Sequence, residues 1–327
     1  MMKRLAILIL VAGLGWSAHW FWGKQVLSSA FESWFAERRD DGWQADYADM
    51  AIRGFPNRHD TTWTDLEIHD PDSGYGWRAP FFQLFLLSYN RHHAIATWPD
   101  RQVITTPQGD IEVTSDSLQA SLITSGDDHV PDRANLAADT LALTRGGSTT
   151  TLTSLRAGMQ RSGPATYDIA VTVDGLALPA GITRAIGDAL PATFEKARLQ
   201  VQIGLSEDWT LTTGNTRPQP RRVDLALAEL EWGPMALRVS GALQIDAEGR
   251  GTGAIDLEAA NWQDMLAVAR ASGSLPDFVI DGLDAALPIL AGITGSRDTL
   301  DVTLTLDRGE MRLGPLPIGE APRLLIP

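Results

Sequence analysis

Between Val223 and Glu258 the chain alternates. Met235, Leu237, Val239, Leu243 and Ile245 share one parity, with Ala236, Arg238, Ser240, Ala242, Gln244 and Asp246 between and after them. A period of two held over about eleven positions marks a strand with one buried face and one wet face. The run Asp246 to Gly253 is rich in turn formers and reverses the chain. Ile255 and Leu257 then face inward, while Asp256 and Glu258 face outward. Upstream, Val223, Leu225 and Leu227 alternate in the same way, but Leu230 and Trp232 sit on the other parity. A bulge near Glu229 would correct that slip. Gly233-Pro234 makes a further reversal. The pattern predicts an antiparallel meander of long strands.

The rest of the chain extends this plan. Trp43 to Arg53 and Thr61 to His69 read as strands joined by Gly54-Phe-Pro-Asn57, and Asp70 to Gly74 as a turn. Trp77 to Trp98 reads as a buried strand, apolar on both faces, followed by a turn at Tyr89-Asn90. Val103 to Ile123 reads as strand, turn and strand around Pro107-Gln-Gly109. Asn135 to Leu143 and Thr149 to Met159 form a hairpin about Arg145-Gly-Gly147. Tyr167 to Val173 and Leu199 to Leu205 alternate cleanly. Leu178 to Leu190 predicts a helix, with Pro179 near its start and Pro191 after its end. A second helix is capped by Asn261 and runs through Ala271, and a third stretch covers Leu275 to Leu290. Leu300 to Leu306 pairs with Met311 and Leu313, and Gly314 to Pro327 is an extended surface tail. The polar loop from Thr213 to Arg222 divides a β-rich half, residues 41–213, from a meander half with helices, residues 214–327. The fold class expected is mainly β with a few helices (α+β), built on long, strongly twisted antiparallel sheets.

A transmembrane helix precedes all of this. Lys3 and Arg4 open the chain, and Leu5 to Trp22 is apolar apart from glycines, Ser17 and His19. About 18 residues is the lower limit for a spanning helix. The positive-inside rule puts Lys3 and Arg4 in the cytoplasm and everything after Lys24 outside it. Residues 1–23 read as an uncleaved signal anchor of the inner membrane, with Trp16, Trp20 and Trp22 as an interfacial belt. The alternative is a cleaved signal peptide, for which Gly15 and Ser17 are tolerable residues at the cut. Residues 24–40 read as an amphipathic helix with Val26, Leu27, Ala30, Phe31, Trp34 and Phe35 on one stripe. That stripe lies on the membrane surface or packs on the first strands.

Composition narrows function mainly by exclusion. Lys+Arg of 27 against Asp+Glu of 41 leaves a net charge of -14, which argues against nucleic acid as a partner. Cysteine is absent, which removes disulfides, thiolate catalysis and cysteine-ligated metal centres. No serine-hydrolase elbow and no Walker A loop occurs. Gly249-Arg-Gly-Thr-Gly253 has the glycines of a phosphate loop but lies between two strands, where a helix would have to follow. His59-Asp60 and His69-Asp70, at the ends of adjacent strands, could supply two imidazoles and two carboxylates to a metal; two exposed strand-end histidines are the plainer reading. Asp70-x-Asp72-x-Gly74 opens like a calcium loop but ends on Phe81 where a carboxylate is needed. No catalytic residue, metal site or cofactor is assigned.

Four stretches carry a family resemblance: Arg53-Gly-Phe-Pro-Asn-Arg58, Trp63-Thr-Asp-Leu66, Gly76-Trp-Arg-Ala-Pro80 and Leu313-Gly-Pro-Leu-Pro317. They resemble the uncharacterised proteobacterial "domain of unknown function 2125" family, which implies an exported envelope protein. The segment from Leu243 to Leu257 is similar to the strand–Asp–Gly–strand pattern of AsmA-type envelope proteins. That likeness implies a lipid-handling groove. Two functions are therefore expected of a membrane-anchored, periplasmic protein. One is binding of a lipid or other apolar ligand in a groove formed by Leu237, Val239, Leu243, Ile245, Ile255 and Leu257. The other is a non-catalytic scaffold for envelope proteins, in which the same face is filled core. A hidden hydrolase is a third.

Overall fold

The computed structural model describes residues 2–177, 191, 193–211, 217–272, 280–282, 284, 287–288, 291–292, 298–314 and 316–326. The expected helix over Leu178–Leu190 lies outside them. So does much of the stretch from Leu275 to Leu290, whose described positions 280–282, 284 and 287–288 are helical. The protein is predominantly antiparallel β-structure behind one apolar N-terminal helix long enough to cross a membrane. The chain divides into two compact units, Met1–Ile123 with Leu143–Arg145, and Thr124–Ala142 with Gly146–Pro327.

In the first unit the helix α1 (Met2–Asp40) is unbroken. The expected anchor and amphipathic helix are therefore one element, with Gly23-Lys24 inside it. Beyond Lys24 the helix packs through Phe31 and Phe35 onto β1 (Gln44–Asp46), β2 (Asp49–Arg53) and β3 (Arg58–Asp70). Phe31 meets Trp63 edge-on at 4.8 Å and Phe35 meets Tyr47 at 4.7 Å. Arg39 donates to the carbonyl of Ala45 at 2.7 Å and ties the end of the helix to β1. Part of the stripe is thus core: Phe35 is buried and Leu27 and Phe31 are half-buried, while Val26, Ala30 and Trp34 stay exposed. β3 pairs with β1 and β2 along one edge and with β4 (Tyr75–Leu87) along the other. Its inward parity switches at Asp65, which sits at φ 49°, so Trp63 and Leu66 enter the same core cluster. β5 (Asn90–Thr97) and β6 (Arg101–Thr106) share the far edge of β4. β7 (Gly109–Asp116) pairs with β6, and β8 (Gln119–Ser125) with β5. The single strand expected up to Ile123 is thus two, because Ser117 at φ 57° turns the chain.

The second unit holds the meander. β9 (Val130–Arg145), β10 (Ser148–Gly163) and β11 (Thr166–Val173) lead into the two-residue strands β12 (Leu176–Ala177) and β13 (Thr193–Phe194). The main ladder then resumes with β14 (Lys196–Leu205), β15 (Pro220–Trp232), β16 (Met235–Ile245) and β17 (Gly251–Ala260). It ends in β18 (Thr299–Asp307), β19 (Glu310–Leu313) and β20 (Leu316–Glu320). β11 pairs with β14, and from there each strand pairs with the next, all antiparallel. The boundary expected after residue 213 falls inside this ladder, between β14 and β15, which pair from Lys196–Glu231 to Leu205–Pro220. The expected bulge is real and lies on β15. Leu225 opposes Gly241 while Ala228 opposes Val239, so one extra residue is absorbed just before Glu229. The helix α2 (Trp262–Ser272) follows Asn261, whose φ of 54° and side-chain bond to the Pro234 carbonyl turn the chain off β17.

Candidate functional site

Register places four apolar rows across the meander. One runs Met159, Ile169, Val201, Leu225, Gly241, Ile255, Leu304, Leu313. The next, towards the β10–β11 turn, runs Tyr167, Ile203, Val223, Leu243, Gly253, Leu306, Met311. On the other side lie Val171, Leu199, Ala228, Val239, Leu257 and Val302, then Val173, Ala197, Leu230, Leu237, Ala259 and Leu300. The six residues expected to line a groove all belong to this face. Ile245 is buried, and Leu237, Val239, Leu243, Ile255 and Leu257 are half-buried.

The face is covered unequally. At the Leu237 end, α2 sets Trp262 and Leu266, together with Ile280, Leu287 and Ala291, against Leu257, Ala259, Leu300 and Val302. Met265 and Val268 of α2 close over Leu230, Trp232 and Met235. At the opposite end the extended tail crosses the turns. Leu324 donates its N–H to the Gly249 carbonyl at 2.8 Å and packs over Gly251. Two residues later the Gln219 side chain grips Ile326, donating to its carbonyl at 3.1 Å and accepting from its N–H at 2.9 Å. Between these covers the middle rows remain half-buried.

Beside the tail, the same face opens into an apolar cavity of about 500 Å³ lined by Met159, Tyr167, Ile169, Ile203, Leu205 and Trp209, with Pro218 and Ile326 at its rim. Its volume lies within the range of small-molecule sites. None of the six expected residues lines it; it sits on β10, β11 and β14, in the same two apolar rows. The rim is held by polar contacts. Asp208 accepts from Arg161 at 2.6 and 3.2 Å and from the Ala165 N–H at 2.7 Å. The Tyr167 hydroxyl accepts from the Trp209 N–H at 3.3 Å, and burial pushes the Tyr167 phenol up. Trp209 itself is 52% exposed, so an aromatic plane stands at the mouth. The alternation of Tyr167–Val173 and Leu199–Leu205 marked these strands as one-sided. What brought Trp209 and Ile326 to them is the loop and tail packing, which has no sequence period.

The opposite face carries a shallower groove of about 860 Å³, with Arg133, Asn135, Gln160, Asp168, Gln200 and Gln202 around Gly158 and Ala170. Chemistry elsewhere is sparse. His59 and His69 stand at opposite ends of one strand, not of adjacent ones. Ten residues at about 3.3 Å each keep them from sharing an ion. Among the described residues no group of three or more His, Asp or Glu could hold a metal. Gly249 to Gly253 forms the β16–β17 turn and the start of β17, where Asp246 Oδ1 accepts from the N–H groups of Glu248 and Arg250.

Residues 20–322 match the family described as an uncharacterized protein conserved in bacteria, DUF2125. The chain belongs to the DUF2125 family. No curated protein and no solved structure matches it. The match begins at Trp20, so in this DUF2125 chain it takes in the end of the apolar run, most of both units and the four apolar rows.

Proposed function

We propose that this DUF2125 protein is an inner-membrane-anchored protein, with its bulk in the periplasm, whose second unit holds the acyl chain of a lipid. The observation that carries the reading is the cavity over Met159, Ile169 and Ile203, which continues a half-covered apolar face. The lining offers an acyl chain hydrophobic contact, and the rim offers a headgroup Trp209 and Arg217. Lys3 and Arg4 before the apolar run favour the orientation. The scaffold reading draws its support from the other end, where α2 fills the face together with Ile280, Leu287 and Ala291.

The test is photocrosslinking in membranes. Full-length protein is exposed to a diazirine-bearing fatty acid and the adducts are mapped by mass spectrometry. Saturable labelling of peptides containing Trp209 or Ile203, lost in Ile203→Trp with the fold retained, is the expected result. Labelling confined to α1, or labelling that never saturates, would overturn the proposal.

A further inference from the structure

In the first unit the turn between β2 and β3 meets α1. It folds back along α1, beside residues of the apolar run. Trp16 Nε1 donates to the Pro56 carbonyl at 3.0 Å, and Trp20 Nε1 donates to the Arg58 carbonyl at 2.7 Å. Phe55 meets Trp20 edge-on at 5.5 Å and stacks on Phe21 at 6.0 Å. His59, 4% exposed, stacks on Trp20 at 5.2 Å, with Nε2 3.2 Å from the Trp20 carbonyl oxygen. Gly23 makes room for that ring, because a Cβ there would sit 3.2 Å from two of its atoms.

Depth follows from these contacts. Along a helix Trp20 lies about 3 Å and Trp16 about 9 Å before Trp22, and crossing a hydrocarbon core about 30 Å thick takes the whole run from Leu5 to Trp22. Trp16 to Trp22 is the end of the apolar run, and Lys24 is the first charge after it. A turn bonded to Trp16 and Trp20 therefore reaches from the headgroups into the upper acyl region.

A second turn is fastened to the first. The Ser88 N–H donates to the Asn57 carbonyl at 2.9 Å, and its hydroxyl reaches the carbonyls of Asn57 and Pro56. These two turns present Phe55, 52% exposed, and Tyr89, 67% exposed. Arg53, Lys24 and Arg91 flank them, with Arg91 close to Gly23, and Arg58 is paired with Asp60 at 2.8 Å. In a chain of net charge -14 this local excess of cations is out of character. Aromatic tips flanked by basic residues suit the interface of an anionic bilayer.

We propose that the turns carrying Phe55 and Tyr89 are a second membrane contact, inserted at the boundary of headgroups and acyl chains in the leaflet from which α1 emerges. The reading rests on α1 being a membrane span. The first unit then stands on the bilayer at a fixed tilt.

The protein lacks cysteine, so single cysteines can carry an environment-sensitive fluorophore in the full-length protein. Four variants, Phe55→Cys, Tyr89→Cys, Leu14→Cys and Asp72→Cys, are placed in nanodiscs of phosphatidylcholine and phosphatidylglycerol. Lipids bearing a spin label near the headgroup serve as quenchers. Labels at positions 55 and 89 should shift to the blue and lose emission. Position 72, beyond the far end of β3, should do neither. Position 14 should be quenched by a deep spin label. Quenching at 14 with none at 55 and 89 would overturn this proposal alone. No quenching at 14 would overturn the anchor itself. Tyr89→Cys removes no ring contact described above, so it covers the case in which Phe55→Cys disturbs the packing.

Discussion

Replacing Gly241 by alanine tests whether the meander is as closely spaced as it looks. Gly241 lies mid-strand in β16, opposite Ile255, at φ 146°. A Cβ there would fall 2.3 Å from the Ala254 carbonyl oxygen and 2.7 Å from the Ile255 Cα. Both are backbone atoms, so no side-chain rotation relieves the overlap and β17 must move. Holding alanine at such a φ costs about 1–3 kcal/mol. Weakening one or two ladder hydrogen bonds adds roughly 1 kcal/mol each. Against this, removing a glycine from the unfolded chain returns about 0.4–1 kcal/mol. The net loss is about 1–5 kcal/mol, which lowers the melting temperature by roughly 2–18 °C for a unit of this size. The assay is thermal and urea unfolding of the full-length protein, with Gly158→Ala beside it. At Gly158 the nearest atom to a new Cβ is Asn135 Oδ1, at an ordinary 3.5 Å. That variant should be neutral or gain up to about 1 kcal/mol. Equal effects at the two glycines would refute the close approach of β16 and β17.

Three other outcomes follow. Val239→Asp should lose about 2–3 kcal/mol by placing a carboxylate on the apolar face, whereas Gln244→Asp on the wet face should lose little; equal shifts in urea midpoint would mean the register is wrong. Glu229 accepts from Arg238 at 3.0 Å with Lys196 at 3.7 Å, and these contacts hold its carboxyl below the ordinary glutamate value. A depressed pKa stabilises the fold above the unfolded value of about 4.3, and that stability is lost as pH falls through the folded value. Glu229→Gln should therefore flatten the pH dependence of unfolding on the acid side of neutrality, and an unchanged slope would count against the cluster. Thr252→Cys, on the exposed side of β17, should react with a membrane-impermeant maleimide on intact spheroplasts; reaction only after lysis would put the second unit in the cytoplasm.

Most of the second unit was legible because its strands alternate. Even the parity slip before Glu229 reported a true bulge, since an extra residue must show as a change of phase. Features that depend on who meets whom were not legible. Arg238 reads as an ordinary wet-face residue, yet it bonds the buried Glu229. His59 reads as an exposed strand end, yet Trp20, 39 residues away, covers it. The turn at Ser117 has no glycine or proline to announce it, and Gly23-Lys24 looks like a break in a helix that continues. The cavity needs Tyr167, Trp209 and Ile326 together, which only the folded loop and tail accomplish. The six groove residues lie on the apolar face but away from the cavity.

The meander also constrains how such a chain can change length. The long excursions, from β11 to β14 and from β17 to β18, leave from the same end of the ladder, near Val173 and Ala260. The β16–β17 turn, the loop after Leu205 and the tail sit at the other. Deleting one strand would reverse every strand after it and carry α2 to the cavity end, stripping the cover from Leu257 and Leu300. Deleting a whole hairpin would leave each survivor's direction, face and cover as they were. Relatives of different length should therefore differ by pairs of strands, and a larger ligand could be met by adding a hairpin without redesigning either end.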